Sequence, residues 1–108
     1  MDTTPSEVLS PELLGEAANE LQTIRDFIRF TVSSLRAADV HIGHGSEDPF
    51  AEAVALVMQT LSLDWSADAE ILDARLLSSE KKQIVALIGK RVNQRIPLGY
   101  LLNLSYFC

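Results

Sequence analysis

Apolar residues in this chain recur at intervals of three and four. Leu21, Ile24, Ile28, Val32 and Leu35 form one series, and Ile84, Val85, Leu87, Ile88 and Val92 form another. That spacing gathers each series on one face of an α-helix, whereas a half-buried strand alternates every two residues. The remaining signals fill in the same plan. Ser10 before Pro11 and Glu12 reads as a helix start, with a side-chain cap, a proline at the first turn and an early acid. A helical pattern runs from Leu13 to about Ala38, with Gly15 as the candidate interruption. Arg25, Arg29 and Arg36 fall off its apolar stripe, and Asp26 and Arg29 are spaced to pair. Asp48 before Pro49 starts a second helix, on which Phe50, Val54, Val57 and Leu61 share a face that Met58 widens. A short third helix is expected around residues 68–74, with Ile71 and Leu72 inward. Ser78 or Ser79 caps a strong helix that runs to about Arg95, where Lys90, Arg91 and Arg95 complement the helix dipole and Pro97 stops it.

The predicted architecture is therefore all-α, a small bundle of four to five helices over residues 11–96. A loose tail covers residues 1–10. Residues 97–108 read as a linker, one helical turn in "LGYLLN" followed by a strand-like "LSYFC". A length of 108 residues with 47% hydrophobic composition supports one packed domain. Aromatic residues are only 6% and glycines number five, which disfavours a sandwich or barrel. Cys108 is the single cysteine, so no internal disulfide forms, as suits a reducing compartment. The N-terminal "MDTTPSEVLS" has neither the basic nor the apolar region of a signal peptide. No apolar run approaches the roughly 18 residues of a membrane span. The sequence reads as cytoplasmic.

The net charge of −6 is unevenly distributed. Residues 1–74 carry 3 basic and 14 acidic side chains, and residues 75–108 carry 6 basic and 1 acidic. A nucleic-acid binder shows a dominant basic field, which this chain lacks. An acidic surface suits a basic protein partner.

Three stretches invite a chemical reading. His41 and His44 in "HIGHG" have the residue type for metal, but no cysteine and no patterned acid completes a ligand set, so no metal is assigned. The glycines of that loop supply positive φ, and loops on rigid scaffolds carry recognition. Arg91 and Arg95 stand four apart beside Lys90 and could grip an anion or an acidic surface, or simply match the helix dipole. Trp65 reads as a core plug or a contact hot spot. No phosphate loop, nucleophile elbow or nucleophile–base pair is present. No catalytic, cofactor-binding or metal-binding residue is assigned in these 108 residues.

Three stretches together carry a family resemblance. "ELQTIRDFIRFTVSSL" precedes "VHIGHGSEDPFAEAVALV", and "LLSSEKKQIVALIGKRVNQRIPLGYL" leads into "LSYFC". The last resembles the junction between the helical N-terminal domain and the Rossmann-like catalytic domain of HemK-type protein-glutamine methyltransferases, with Arg95, Pro97, Tyr100 and Phe107 at the matching features. The Gly-His-Gly loop leading into Asp48, Pro49, Phe50, Glu52 and Ala53 is similar to the branch that methylates a glutamine of large-subunit ribosomal protein L three. The resemblance spans residues 16–108 and leaves the acidic tail unmatched.

The resemblance implies an excised N-terminal domain, with Cys108 an internal strand residue of the intact chain. It implies that S-adenosylmethionine and the catalytic Asn-Pro-Pro-Tyr motif belong to a catalytic domain beyond these residues. It further implies that this domain positions a basic ribosomal protein substrate. His41, Gly43, His44, Gly45, Glu47 and Asp48 are the expected substrate contacts. Arg91, Arg95 and Tyr100 are the expected contacts to the chain's own catalytic domain. A free-standing acidic adaptor and the release-factor branch of the same family are the competing readings. Membrane and direct nucleic-acid binding are not expected.

Overall fold

The computed structural model describes residues 8–38, 48–64 and 69–106, without the side chains of 103–106. Its described residues form five α-helices: α1 (Pro11–Glu20), α2 (Ile24–Ala37), α3 (Pro49–Thr60), α4 (Ser78–Asn93) and α5 (Leu98–Tyr106). A 3-10 turn, Ala69–Asp73, lies between α3 and α4. The all-α bundle expected from periodicity is the fold observed.

Local chemistry sets where each helix begins. Ser10 Oγ accepts from the Leu13 amide at 3.1 Å, with Pro11 in the first turn. Asp48 caps α3 by accepting from the Phe50 amide at 3.0 Å. The long first helix, by contrast, is two helices, and the break falls at residues 21–23 rather than at Gly15. Thr23 and Asp26 make a capping box: Thr23 Oγ1 accepts from the Asp26 amide, and Asp26 Oδ2 accepts from the amides of Gln22 (2.9 Å) and Thr23 (3.0 Å). These bonds satisfy amides that a continuous helix would otherwise have used, so the chain restarts here. The same two amides, Gln22 first and then Thr23, hold the Asp26 carboxyl below its ordinary range. Asp26 is thus committed to this cap and not to Arg29. The connection is further pinned by an antiparallel bridge between Thr23 and Arg75, with Ile24 N–H donating to Ala74 O (3.1 Å) and Leu76 N–H to Gln22 O (3.0 Å).

α2 packs chiefly on α3, α1 on α4, and α4 and α5 close over α3. Phe27, Leu35, Leu56, Val57, Ile84, Ile88 and Leu101 are fully buried between them. The inner face read for α4, Ile84, Val85, Leu87, Ile88 and Val92, is the buried face, and Ile71 and Leu72 pack on the core as expected. Leu9, placed by sequence in the tail, is buried beneath a pair of hydrogen bonds with the Asn93 side chain (3.0 and 2.8 Å).

The strand-like end is corrected as far as Tyr106. α5 continues through residues 104–106, while Phe107 and Cys108 lie outside the described residues. A lone strand would leave its amides and carbonyls without a ladder. A helix satisfies them within the segment, and Leu101 N–H already donates to Pro97 O at 3.2 Å.

Candidate functional site

Two groups of residues compete for a functional role: the basic residues of and after α4, and the outer side of α3. Of these basic residues, Lys81 and Arg91 are buried, while Lys82, Lys90 and Arg95 are exposed. Lys81 is buried, and its Nζ donates to the Leu21 carbonyl at 2.9 Å, supplying a cation at the C-terminal end of α1, whose last turn has none of its own. Arg91 is only 5% exposed and forms a buried ion pair with Glu52 of α3, Nε to Oε2, with Nη2 3.4 Å from Oε1. Arg95 Nη2 donates to the carbonyl of Ala38, the residue that ends α2, at 3.2 Å. Arg95 also holds φ at +61°, a left-handed conformation that costs a non-glycine residue on the order of 1 kcal/mol. The turn it makes lets Ile96 N–H reach back to Lys90 O at 3.2 Å.

Arg91, expected as a contact to the catalytic domain, is buried against Glu52. A guanidinium committed to Glu52 fastens α4 to α3. Arg95 and Tyr100 remain on the surface, and Tyr100 is 59% exposed.

α3 presents the opposite situation. A groove of about 500 Å³ runs along it, reaching from Asp48 to Asp64. Val54 and Met58 are buried in its floor, and Phe50 and Leu63 flank them. Both ends of the groove are products of helix capping. At one end stands the N-cap, Asp48. At the other, Leu63 N–H donates to Met58 O (2.8 Å) and Ser62 N–H to Gln59 O (3.0 Å), with Ser62 at φ +61°. That Schellman arrangement folds Leu63 back toward Met58, which brings both into the groove lining. Phe50 shares a helical face with Val54 and Val57 in sequence, yet it is 50% exposed. It stands in the first turn of α3, one turn short of the buried Val54, and its ring lines the groove instead of the core.

His41, Gly43, His44, Gly45 and Glu47, expected as substrate contacts, lie outside the described residues, as does Trp65. Asp48 is the one member of that group placed by the structure, at the groove's end. Phe50 and Leu63 were missed as site residues. The signal for Leu63 was present, since an apolar residue five positions beyond Met58 after a polar reversal is the hydrophobic contact of such a helix end.

Gly15 and Gly99 face open space, and a Cβ at Gly89 would meet Leu14 Cδ1 at 3.1 Å, so none of the three glycines forms a ligand cradle. Among the described residues no cluster of His, Cys, Asp and Glu could hold a metal ion.

Comparison with known proteins shows what the chain is similar to. Over 94 residues, 87% of its length, it is 40% identical to the ribosomal protein uL3 glutamine methyltransferase of Neisseria gonorrhoeae. Over 82 residues it is 49% identical to the enzyme of the same name from Bordetella pertussis. The chain is a relative of the uL3 glutamine methyltransferases. It spans 31% and 28% of the length of these two relatives. The Neisseria meningitidis enzyme of that name is 39% identical over 94 residues. No family model and no solved structure matches the chain. The branch resemblance read from the Gly-His-Gly loop and the α4 segment is thus the one the comparisons return. Among the described residues no helix is long and apolar enough to cross a membrane.

Proposed function

We propose that this chain is the helical N-terminal domain of a cytoplasmic methyltransferase that transfers a methyl group from S-adenosylmethionine to the side-chain amide of a glutamine in ribosomal protein uL3. The observation that carries this reading is the 40–49% identity to enzymes of that name over most of the chain. The domain contributes position, not chemistry. Methyl transfer to an amide nitrogen requires that nitrogen to be held in line with the donor, and a docking domain supplies part of that orientation. An acidic domain attracts a basic ribosomal protein at long range, with a strength that falls as salt rises. His41, Gly43, His44, Gly45, Glu47 and Asp48 contact the substrate in this reading. Arg95 and Tyr100 meet the catalytic domain, which holds the methyl donor and the Asn-Pro-Pro-Tyr motif.

The test begins with the gene. Its reading frame is expected to continue past the Cys108 codon into a glycine-rich loop and then Asn-Pro-Pro-Tyr. The full product, expressed in cells lacking their own uL3 glutamine methyltransferase, is expected to restore the modification, seen by mass spectrometry of uL3. A full-length product that leaves uL3 unmodified while methylating release factors would overturn the assignment in favour of the sister branch.

A further inference from the structure

We infer that the α3 groove is a docking site for a polypeptide segment that carries one large apolar side chain between basic residues. The inference rests on the docking role proposed above and names the surface and the chemistry of what it receives.

Two features select this occupant. The groove is apolar along its floor and walls, where Phe50, Val54, Met58 and Leu63 meet, and its volume of about 500 Å³ accepts a leucine or an aromatic side chain with room for adjoining backbone. Its ends are acidic, with Asp48 at the start of α3 and Asp64 after its close, both exposed. The local charge reinforces this. Residues 37–74 contain eight Asp and Glu and no Lys or Arg. Among the described residues, Arg91 pairs with Glu52 and Arg25 with Asp73. An incoming Lys or Arg thus meets a stretch whose own charged residues are all acidic. An acidic peptide or a nucleic acid backbone would be repelled by the same field. Phe50, exposed and aromatic, has the character of an interface anchor.

The experiment uses the 108-residue chain, purified ribosomal protein uL3, and an amidated peptide with a central leucine between two pairs of arginines. Asp48→Asn removes charge while keeping a side chain that caps helices well. Phe50→Ser shortens an exposed side chain, and thermal unfolding checks that both variants stay folded. Leu77→Ser, at an exposed residue at the start of α4, is the control. Wild-type chain is expected to bind uL3 and the peptide. Phe50→Ser is expected to weaken both by about tenfold, in line with the loss of an interface anchor. Asp48→Asn should reduce binding less and flatten its salt dependence, and Leu77→Ser should change nothing.

If uL3 binds wild type and every groove variant alike, the groove inference falls and the docking role stands. If uL3 fails to bind while the peptide binds and responds to Phe50→Ser, the groove inference holds and uL3 is not its occupant. If neither binds wild type at low salt, the groove inference is overturned. A peptide whose leucine is replaced by serine binding as well as the parent would also overturn it.

Discussion

The inner side of α4 and the outer side of α3 handle charge and apolar surface in opposite ways. From α4 and the turn after it, Lys81, Arg91 and Arg95 reach the end of α1, the first turn of α3 and the end of α2. Each cation has its acceptor inside the domain. Along α3, an aromatic ring and a groove remain open, and the acids at the groove ends face outward. Basic residues close together in sequence are thus no evidence of a binding surface where, as for these three, each reaches an acceptor within the domain. The open surface lies where an exposed aromatic ring and a groove are left on the outside of the helix.

Substituting one side of this comparison should cost stability, and substituting the other should not. The largest effect is expected at Arg91→Ala, which strands the Glu52 carboxylate in the core. Breaking a buried pair in this way costs about 3–5 kcal/mol, measurable by urea unfolding. The double variant Arg91→Met with Glu52→Leu is expected to recover most of that loss, because both charges leave together. Full loss in the double variant would mean that Arg91 acts through a contact other than Glu52.

A smaller effect, about 1 kcal/mol, is expected for Asp26→Ala, which dissolves the capping box of α2. Its pH dependence carries a definite sign. The folded carboxyl titrates below its ordinary value, so its contribution is complete above the unfolded pKa of about 4 and is lost as pH falls through the lowered folded value. Wild type and Asp26→Ala should therefore differ at neutral pH and converge in acid. Parallel stability curves down to strong acid would show that the cap does not depend on the charge. The smallest effect is expected at Phe50→Ser, within about 0.5 kcal/mol of wild type, because the ring is half exposed. A loss of 2 kcal/mol or more at Phe50 would make it part of the core and erase the contrast with α4.

Much of the bundle was legible in sequence because its signals are local. The starts at Ser10–Pro11 and Asp48–Pro49, and the inner face of α4, follow from neighbours within one or two turns. The break before α2 was also local, in the Thr23–Asp26 spacing, but an apolar stripe that continues in phase across it suggested one helix. The tail of α5 was misread because a short apolar run fits strand and helix equally well until something shows whether a partner strand exists. Other features are not local at all. Lys81 sits 60 residues from Leu21, Arg91 39 from Glu52, and Arg95 57 from Ala38. No spacing rule connects them, so the same residues read as a surface cluster until the helices are brought together. Phe50 shows the converse, an apolar residue in phase with the core that the first turn of α3 leaves outside it.

The Leu9–Asn93 clasp has a consequence for the order in which the domain is built. Its two partners are separated by 84 residues. A chain emerging from the ribosome completes α1, α2 and α3 before Lys81, Arg91 or Asn93 exists to hold them. Until then the earlier helices display the apolar faces that α4 later covers, and each long-range fastening must wait for loop closure. Assembly is therefore late and concerted, with α4 acting as a keystone and the earlier helices exposed to misassociation during translation.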